Sequence, residues 1–79
     1  MNKFESFFEI RNTTSSAITF ILEPWANEIE LHPGSVIRAG FMCRNFRDIP
    51  IVHENGRIIV EAWEGAESTG IWLDGDLVA

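Results

Sequence analysis

Apolar and polar residues alternate with a period of two along most of this chain, the repeat of a half-buried strand and not of a helix. From Phe4 to Arg11, Phe4, Phe8 and Ile10 fall on one face and Glu5, Phe7, Glu9 and Arg11 on the other, with Phe7 the misfit. Ile18, Phe20 and Leu22 then alternate against Ala17, Thr19, Ile21 and Glu23. A short third segment, Glu28 to His32, buries Ile29 and Leu31. In a fourth, Ser35 to Cys43, the residues Ile37, Ala39, Phe41 and Cys43 share one face, and Val36, Arg38 and Met42 share the other. Gly40 inside that segment signals a bulge or bend. Arg44 to Pro50 keeps no period and reads as a loop or a single helical turn.

Turn chemistry divides the remaining segments. Pro33-Gly34 suits a type II turn, because proline presets φ at the first central position and glycine accepts positive φ at the second. Asn55-Gly56 lies between two β-branched runs, Ile51 to His53 and Ile58 to Val60, and predicts a two-residue type I′ hairpin. Its register would set Glu54 opposite Arg57, His53 opposite Ile58, Val52 opposite Ile59 and Ile51 opposite Val60. Asp74-Gly75 repeats the device, pairing Leu73 with Asp76, Trp72 with Leu77 and Ile71 with Val78. The expected fold is therefore all-β: a small antiparallel β-sandwich or barrel of seven to eight short strands.

Length narrows the picture. Seventy-nine residues make one domain, residues 1–79, whose core is marginal without outside support. The single cysteine, Cys43, excludes an internal disulfide. Twelve acidic residues against six basic ones give a net charge of −6, which argues against direct binding to nucleic acid or an anionic membrane. Glu5, Glu9 and Arg11 interrupt any apolar signal-peptide core, and the nearly apolar run Ala17 to Leu22 is too short to span a bilayer. A cytoplasmic location is expected.

The stretch Leu22-Glu-Pro-Trp25, followed by Glu28, Leu31 and Pro33-Gly34, resembles a pattern in short uncharacterised bacterial proteins. The resemblance covers roughly residues 12 to 40. It implies a small all-β fold in bacteria or their mobile elements and carries no activity. Read as structure, Pro24 keeps Glu23 extended and interrupts the ladder, and Trp25 caps the core at a sheet corner.

Candidate chemistry is sparse. His32, Cys43 and His53 stand singly, without the spacing of a metal site, so neither metal nor other cofactor is expected. Cys43 has Arg44 and Arg47 nearby but no paired histidine, and reads as a small core residue. Asp74-Gly-Asp76 lacks the further oxygen ligands of a calcium loop. Trp25, Trp63 and Trp72 each have a carboxylate within two residues, an arrangement suited to stacking on sugars, although at least one of Trp63 and Trp72 is expected in the core. Charge is unevenly spread: Glu61, Glu64, Glu67, Asp74 and Asp76 occur without a base after Ile58, and three arginines occur without an acid from Arg38 to Arg47.

These observations favour a non-enzymatic protein-interaction domain. One form is a homodimer joined through Phe7 and Ile21, the apolar residues on otherwise polar faces. The main alternative is an acidic inhibitor of host nucleic-acid machinery, in the manner of an anti-CRISPR protein, whose five C-terminal acids would share a face and engage a basic partner surface. A third reading is a sugar or small-ligand module built on the tryptophans.

Overall fold

The computed structural model describes residues 3–79. More than half of the chain is strand, in eight segments: β1 (Phe4–Arg11), β2 (Ile18–Glu23), β3 (Asn27–Leu31), β4 (Val36–Cys43), β5 (Ile51–Glu54), β6 (Arg57–Glu61), β7 (Glu67–Leu73) and β8 (Asp76–Leu77). They form two four-stranded sheets, ordered β1-β4-β7-β8 and β3-β2-β6-β5. The all-β expectation holds. Residues 44–50 contain no helical turn.

Each sheet turns one face inward because its strands alternate as the sequence does. The first contributes Ile37, Ala39, Phe41 and Cys43 from β4 and Ile71 from β7; the second contributes Phe20 and Leu22 from β2, Leu31 from β3 and Val60 from β6. Phe41 is the hub of this core. It is fully buried, and Phe8, Trp25 and Trp63 pack their rings against it with centroids about 6 Å away.

Not every pairing is antiparallel. Strands β2 and β6 run parallel, with Thr19 beside Arg57 and Leu22 beside Val60, and Thr19 N–H to Gly56 C=O and Ala62 N–H to Glu23 C=O extend that ladder at both ends. A parallel pair needs a long crossover instead of a tight turn, so no local signal announces it.

The β5–β6 hairpin keeps its expected register but not its expected turn type, and the β7–β8 hairpin keeps its turn type and two of its three expected pairs. In β5–β6 all four expected pairs form, and Arg57 meets Glu54 at 3.0 Å. Its turn is not type I′: Gly56 has φ 73, but Asn55 is not at positive φ, which is the pattern of a type II turn. In β7–β8 both central residues are at positive φ, Asp74 at 50 and Gly75 at 89, as type I′ requires. Leu73 pairs with Asp76 and Trp72 with Leu77. The third expected pair opens into a bulge, because Ile71 C=O accepts from Val78 N–H while Ile71 N–H donates to Ala79 C=O. Pro33-Gly34 behaves as expected, with Ser35 N–H bonded to His32 C=O and Gly34 at φ 84.

One buried polar residue locks two loops together. Asn12 donates from Nδ2 to the carbonyls of Ser16 and Leu31, and its Oδ1 accepts from Thr14 N–H and Thr14 hydroxyl. Its backbone bonds to Ser35 and Gly34. Every polar group of Asn12 is thereby paired, which is the condition for burying an amide without penalty.

Candidate functional site

The outer face of the β1-β4-β7-β8 sheet brings Phe7, Trp72, Arg38, Glu5 and Glu9 together around one groove. The register β1↔β4↔β7↔β8 lines up Glu9, Arg38, Trp72 and Leu77 in one row across all four strands. In the next row Phe7 sits opposite Gly40, and Gly40 opposite Gly70. Between Gly40 and Phe41 the register slips by one, leaving Thr69 as the extra residue of a bulge in β7.

Two facing glycines make a floor without side chains, and aromatic rings cover it. A Cβ on Gly40 would collide with Thr69 Oγ1 and with the Phe7 ring, and a Cβ on Gly70 would lie 2.8 Å from the Trp72 indole. Phe7 is thus not a misplaced core residue. It covers backbone that Gly40 leaves bare, in the way aromatic residues shield glycines across strands. Phe7 and Trp72 meet at 6.2 Å with planes tilted by 57°. The Arg38 guanidinium lies 3.9 Å above the Phe7 ring.

Around this group lies a groove of about 470 Å³, lined by Glu5, Phe7, Glu9, Val36, Arg38, Trp72 and Gly75. Its lining offers one guanidinium, two carboxylates and two aromatic rings. Phe7 remains 40% exposed even under Arg38. Phe7 and Trp72 stand out in the sequence as single residues. Arg38, Glu5 and Glu9 do not, because only cross-strand register brings them together.

The structure separates the other residues singled out from the sequence. Trp25 and Trp63 flank Phe41 at the core, Trp25 stacking in the β2–β3 turn and Trp63 held under the Arg47 guanidinium at 4.9 Å. Trp72 is on the outer face. Neither Trp63 nor Trp72 is fully buried, contrary to expectation: Trp63 packs half-buried against the core, and Trp72 lies half-buried on the outer face beside Phe7. Trp25 does sit at the sheet corner as expected, 37% exposed.

The five C-terminal acids do not share one face. Glu61, Glu64 and Glu67 lie before or at the start of β7, and Asp74 and Asp76 follow its end, so the length of β7 sets the groups roughly 20 Å apart. Glu67 is paired with Lys3 at 3.0 Å and lines a second hollow with Arg44 and Arg47. Charge that is segregated along the chain is therefore mixed in space. Asp74 serves the fold: Oδ1 accepts from Val36 N–H at 2.9 Å, and Asp74 N–H donates to Val36 C=O at 2.9 Å. That Val36 hydrogen bond, with smaller help from the Ser35 hydroxyl and from His32, lowers the Asp74 carboxyl below its ordinary value.

Phe7 and Ile21 cannot serve a single interface. Phe7 points out of one sheet, whereas Ile21, between the buried Phe20 and Leu22, points out of the opposite sheet. Among the described residues no group of three or more His, Cys, Asp or Glu is placed to hold a metal ion, and no helix is long and apolar enough to cross a membrane. No family model, curated protein or solved structure matches this chain.

Proposed function

We propose that this chain is a non-enzymatic interaction domain that docks a protein partner on the outer face of the β1-β4-β7-β8 sheet. The observation that carries this reading is the Glu9-Arg38-Trp72-Leu77 row beside Phe7. Tryptophan, arginine and a second aromatic are the residue types that dominate binding energy at protein interfaces, and here they share one solvent-facing groove on strands. Strand-borne side chains, held by ring contacts and the glycine floor, meet a partner with little ordering left to pay for. The flanking Glu5 and Glu9 favour a partner patch with a basic rim around an apolar or acidic centre that Arg38 can reach.

The same geometry favours docking over the other functions considered. Of the side chains that act as nucleophiles, the groove lining contains only the carboxylates of Glu5 and Glu9, which stand four residues, about 13 Å, apart along β1. A sugar platform needs a free aromatic face, whereas the Phe7 ring lies under Arg38 and two of the tryptophans pack on Phe41. An acidic inhibitor needs its carboxylates together, and β7 holds them apart.

Affinity capture with matched baits tests the proposal. The natural chain is expected to retain a partner that Arg38→Glu and Trp72→Ala both fail to retain, with the β-type circular dichroism of both variants unchanged. Identical captured sets for all three baits would remove this face as the docking surface.

A further inference from the structure

The exposed edge of β1 is self-complementary, and we infer that two copies of this chain pair β1 against β1 in antiparallel fashion about a two-fold axis beside Phe8. The argument begins with which backbone groups are free. Asn12 N–H donates to Ser35 C=O and Asn12 C=O accepts from Gly34 N–H, so Asn12 turns its backbone towards the neighbouring strand. The β1–β4 register runs without a break from Phe4↔Cys43 to Arg11↔Val36. By alternation Phe4, Ser6, Phe8 and Ile10 bond to β4, and Glu5, Phe7, Glu9 and Arg11 direct N–H and C=O outward. Among the described residues β1 pairs with β4 alone.

A two-fold antiparallel pairing must set one residue opposite its own copy. With Phe8 at the axis, Glu5 meets Arg11 of the second copy, Phe7 meets Glu9, and both relations repeat in reverse. All four outward residues then pair, making about eight hydrogen bonds. Opposite charges face each other at both ends, and no like charges do. Moving the axis to Phe7 sets Glu5 against Glu9, and moving it to Glu9 sets that residue against itself. Phe8, half-buried against Phe20 and Phe41, gains its own copy as a close cross-strand neighbour.

The other edges lack these properties. On β3, Glu28 and Glu30 flank Ile29, so an axis on any of these three residues opposes acids. Strand β8 has two residues. In β5 the bond from Glu61 N–H to Pro50 C=O, with the unbroken β5–β6 register, leaves only Ile51 and His53 facing outward. The longest edge is thus also the one whose charges favour its own copy.

This pairing uses the backbone edge of β1 and shares Glu5, Phe7 and Glu9 with the groove, but it uses neither Arg38 nor Trp72, so variants at those two residues distinguish it from docking. Light scattering during size-exclusion chromatography reads it directly. The natural chain is expected to approach the mass of two chains as concentration rises above the micromolar range. Glu5→Arg alone and Arg11→Glu alone each turn attraction into repulsion at both ends, and each is expected to weaken dimerisation roughly tenfold or more. The doubly exchanged variant Glu5→Arg/Arg11→Glu should restore it. Glu9→Pro, which removes an outward N–H and leaves the β4 ladder intact, should give a folded monomer. A natural chain that stays at the mass of one chain overturns the inference. So does a single-exchange variant that dimerises as well as the natural chain, or a folded double exchange that stays monomeric. Loss of the captured partner on Arg38→Glu, with dimerisation unchanged, separates the two surfaces.

Discussion

Strand β4 lies between β1 and β7 and sends Ile37, Ala39, Phe41 and Cys43 into the core, all buried. Strand β5 pairs with β6 alone and leaves each of its four residues exposed, Ile51 at 55%. Yet the β5–β6 hairpin carries the plainest local signal in the chain, and β4 has no tight turn leading from it to either neighbour. Local turn chemistry writes a hairpin whether or not the hairpin contributes to the core. The core is assembled by strands that meet far apart in sequence, and its stability should follow that division.

The sharpest way to break the comparison is to cut one large side chain from each strand. Phe41→Ala removes the ring against which Phe8, Trp25 and Trp63 pack, and should cost about 3 to 5 kcal/mol, enough to unfold much of a domain this small. Ile51→Ala should cost less than about 0.5 kcal/mol, the range of ordinary surface changes. Urea denaturation of both variants checks the pair. Comparable midpoints would mean that β5 is part of the core after all.

Asn12 extends the contrast to polar groups. Asn12→Ala takes the Nδ2 donor from the Leu31 carbonyl and the Oδ1 acceptor from the Thr14 N–H, at a site that is 1% exposed, while the Ser16 carbonyl keeps the Thr14 hydroxyl. We expect a loss of about 2 kcal/mol or more. Asn55→Ala, at an exposed turn position, should change little by comparison. Equal effects in thermal melts would show that solvent satisfies the groups around Asn12.

How much of this was legible follows from the same distinction. The face assignments of β2 and β4, the β5–β6 register, the two β7–β8 pairs next to the turn, the Pro33-Gly34 turn and the burial of Cys43 follow from period-two alternation and turn chemistry, which act over a few residues. Gly40 signals an irregularity in β4, but the extra residue of the bulge beside it, Thr69, lies on the facing strand β7. What stayed hidden depends on residues far apart in sequence: the parallel β2–β6 pair, the opposite outward directions of Phe7 and Ile21, and the row that joins Glu9 to Arg38, Trp72 and Leu77. The network around Asn12 was hidden as well, because an asparagine in a polar stretch reads as one more turn residue. Spacing along the chain likewise suggested one acidic face, since nothing in Glu67 or Asp74 records that a whole strand separates them.

The two glycine hairpins offer a finer contrast, one that a single residue type separates. At the first central position of β5–β6, Asn55 is outside positive φ, and its N–H is not needed by the β6 ladder. Asn55→Pro should therefore fit and stabilise the fold by about 0.4 to 1 kcal/mol through the unfolded chain. The matching position in β7–β8 holds Asp74 at φ 50, which proline cannot adopt, so Asp74→Pro should be strongly destabilising. Denaturation midpoints moving in opposite directions sharpen the assignment of turn types. A loss of stability in Asn55→Pro would return the first turn to type I′.

The smallest expected effect distinguishes the same two turns by charge. Asp74 accepts a hydrogen bond from Val36 N–H, and its carboxyl in the folded chain lies below the ordinary value of 3.8; Asn55 has no charge to lose. A depressed folded value means that the unfolded chain takes up the proton first. The contribution of the carboxylate is therefore fully present above pH 3.8 and fades as pH falls through the lower folded value. Asp74→Asn keeps an oxygen acceptor for Val36 N–H but removes the charge. Because Asp74 is exposed, solvent screens the difference, and only a small stability gap between the natural chain and the variant is expected at neutral pH. That gap should narrow on acidification below pH 3.8, whereas the gap between the natural chain and Asn55→Ala should not respond through this carboxyl. Urea titrations at a series of pH values read both. A gap for Asp74→Asn that stays constant into strong acid would assign the effect to turn geometry instead of charge.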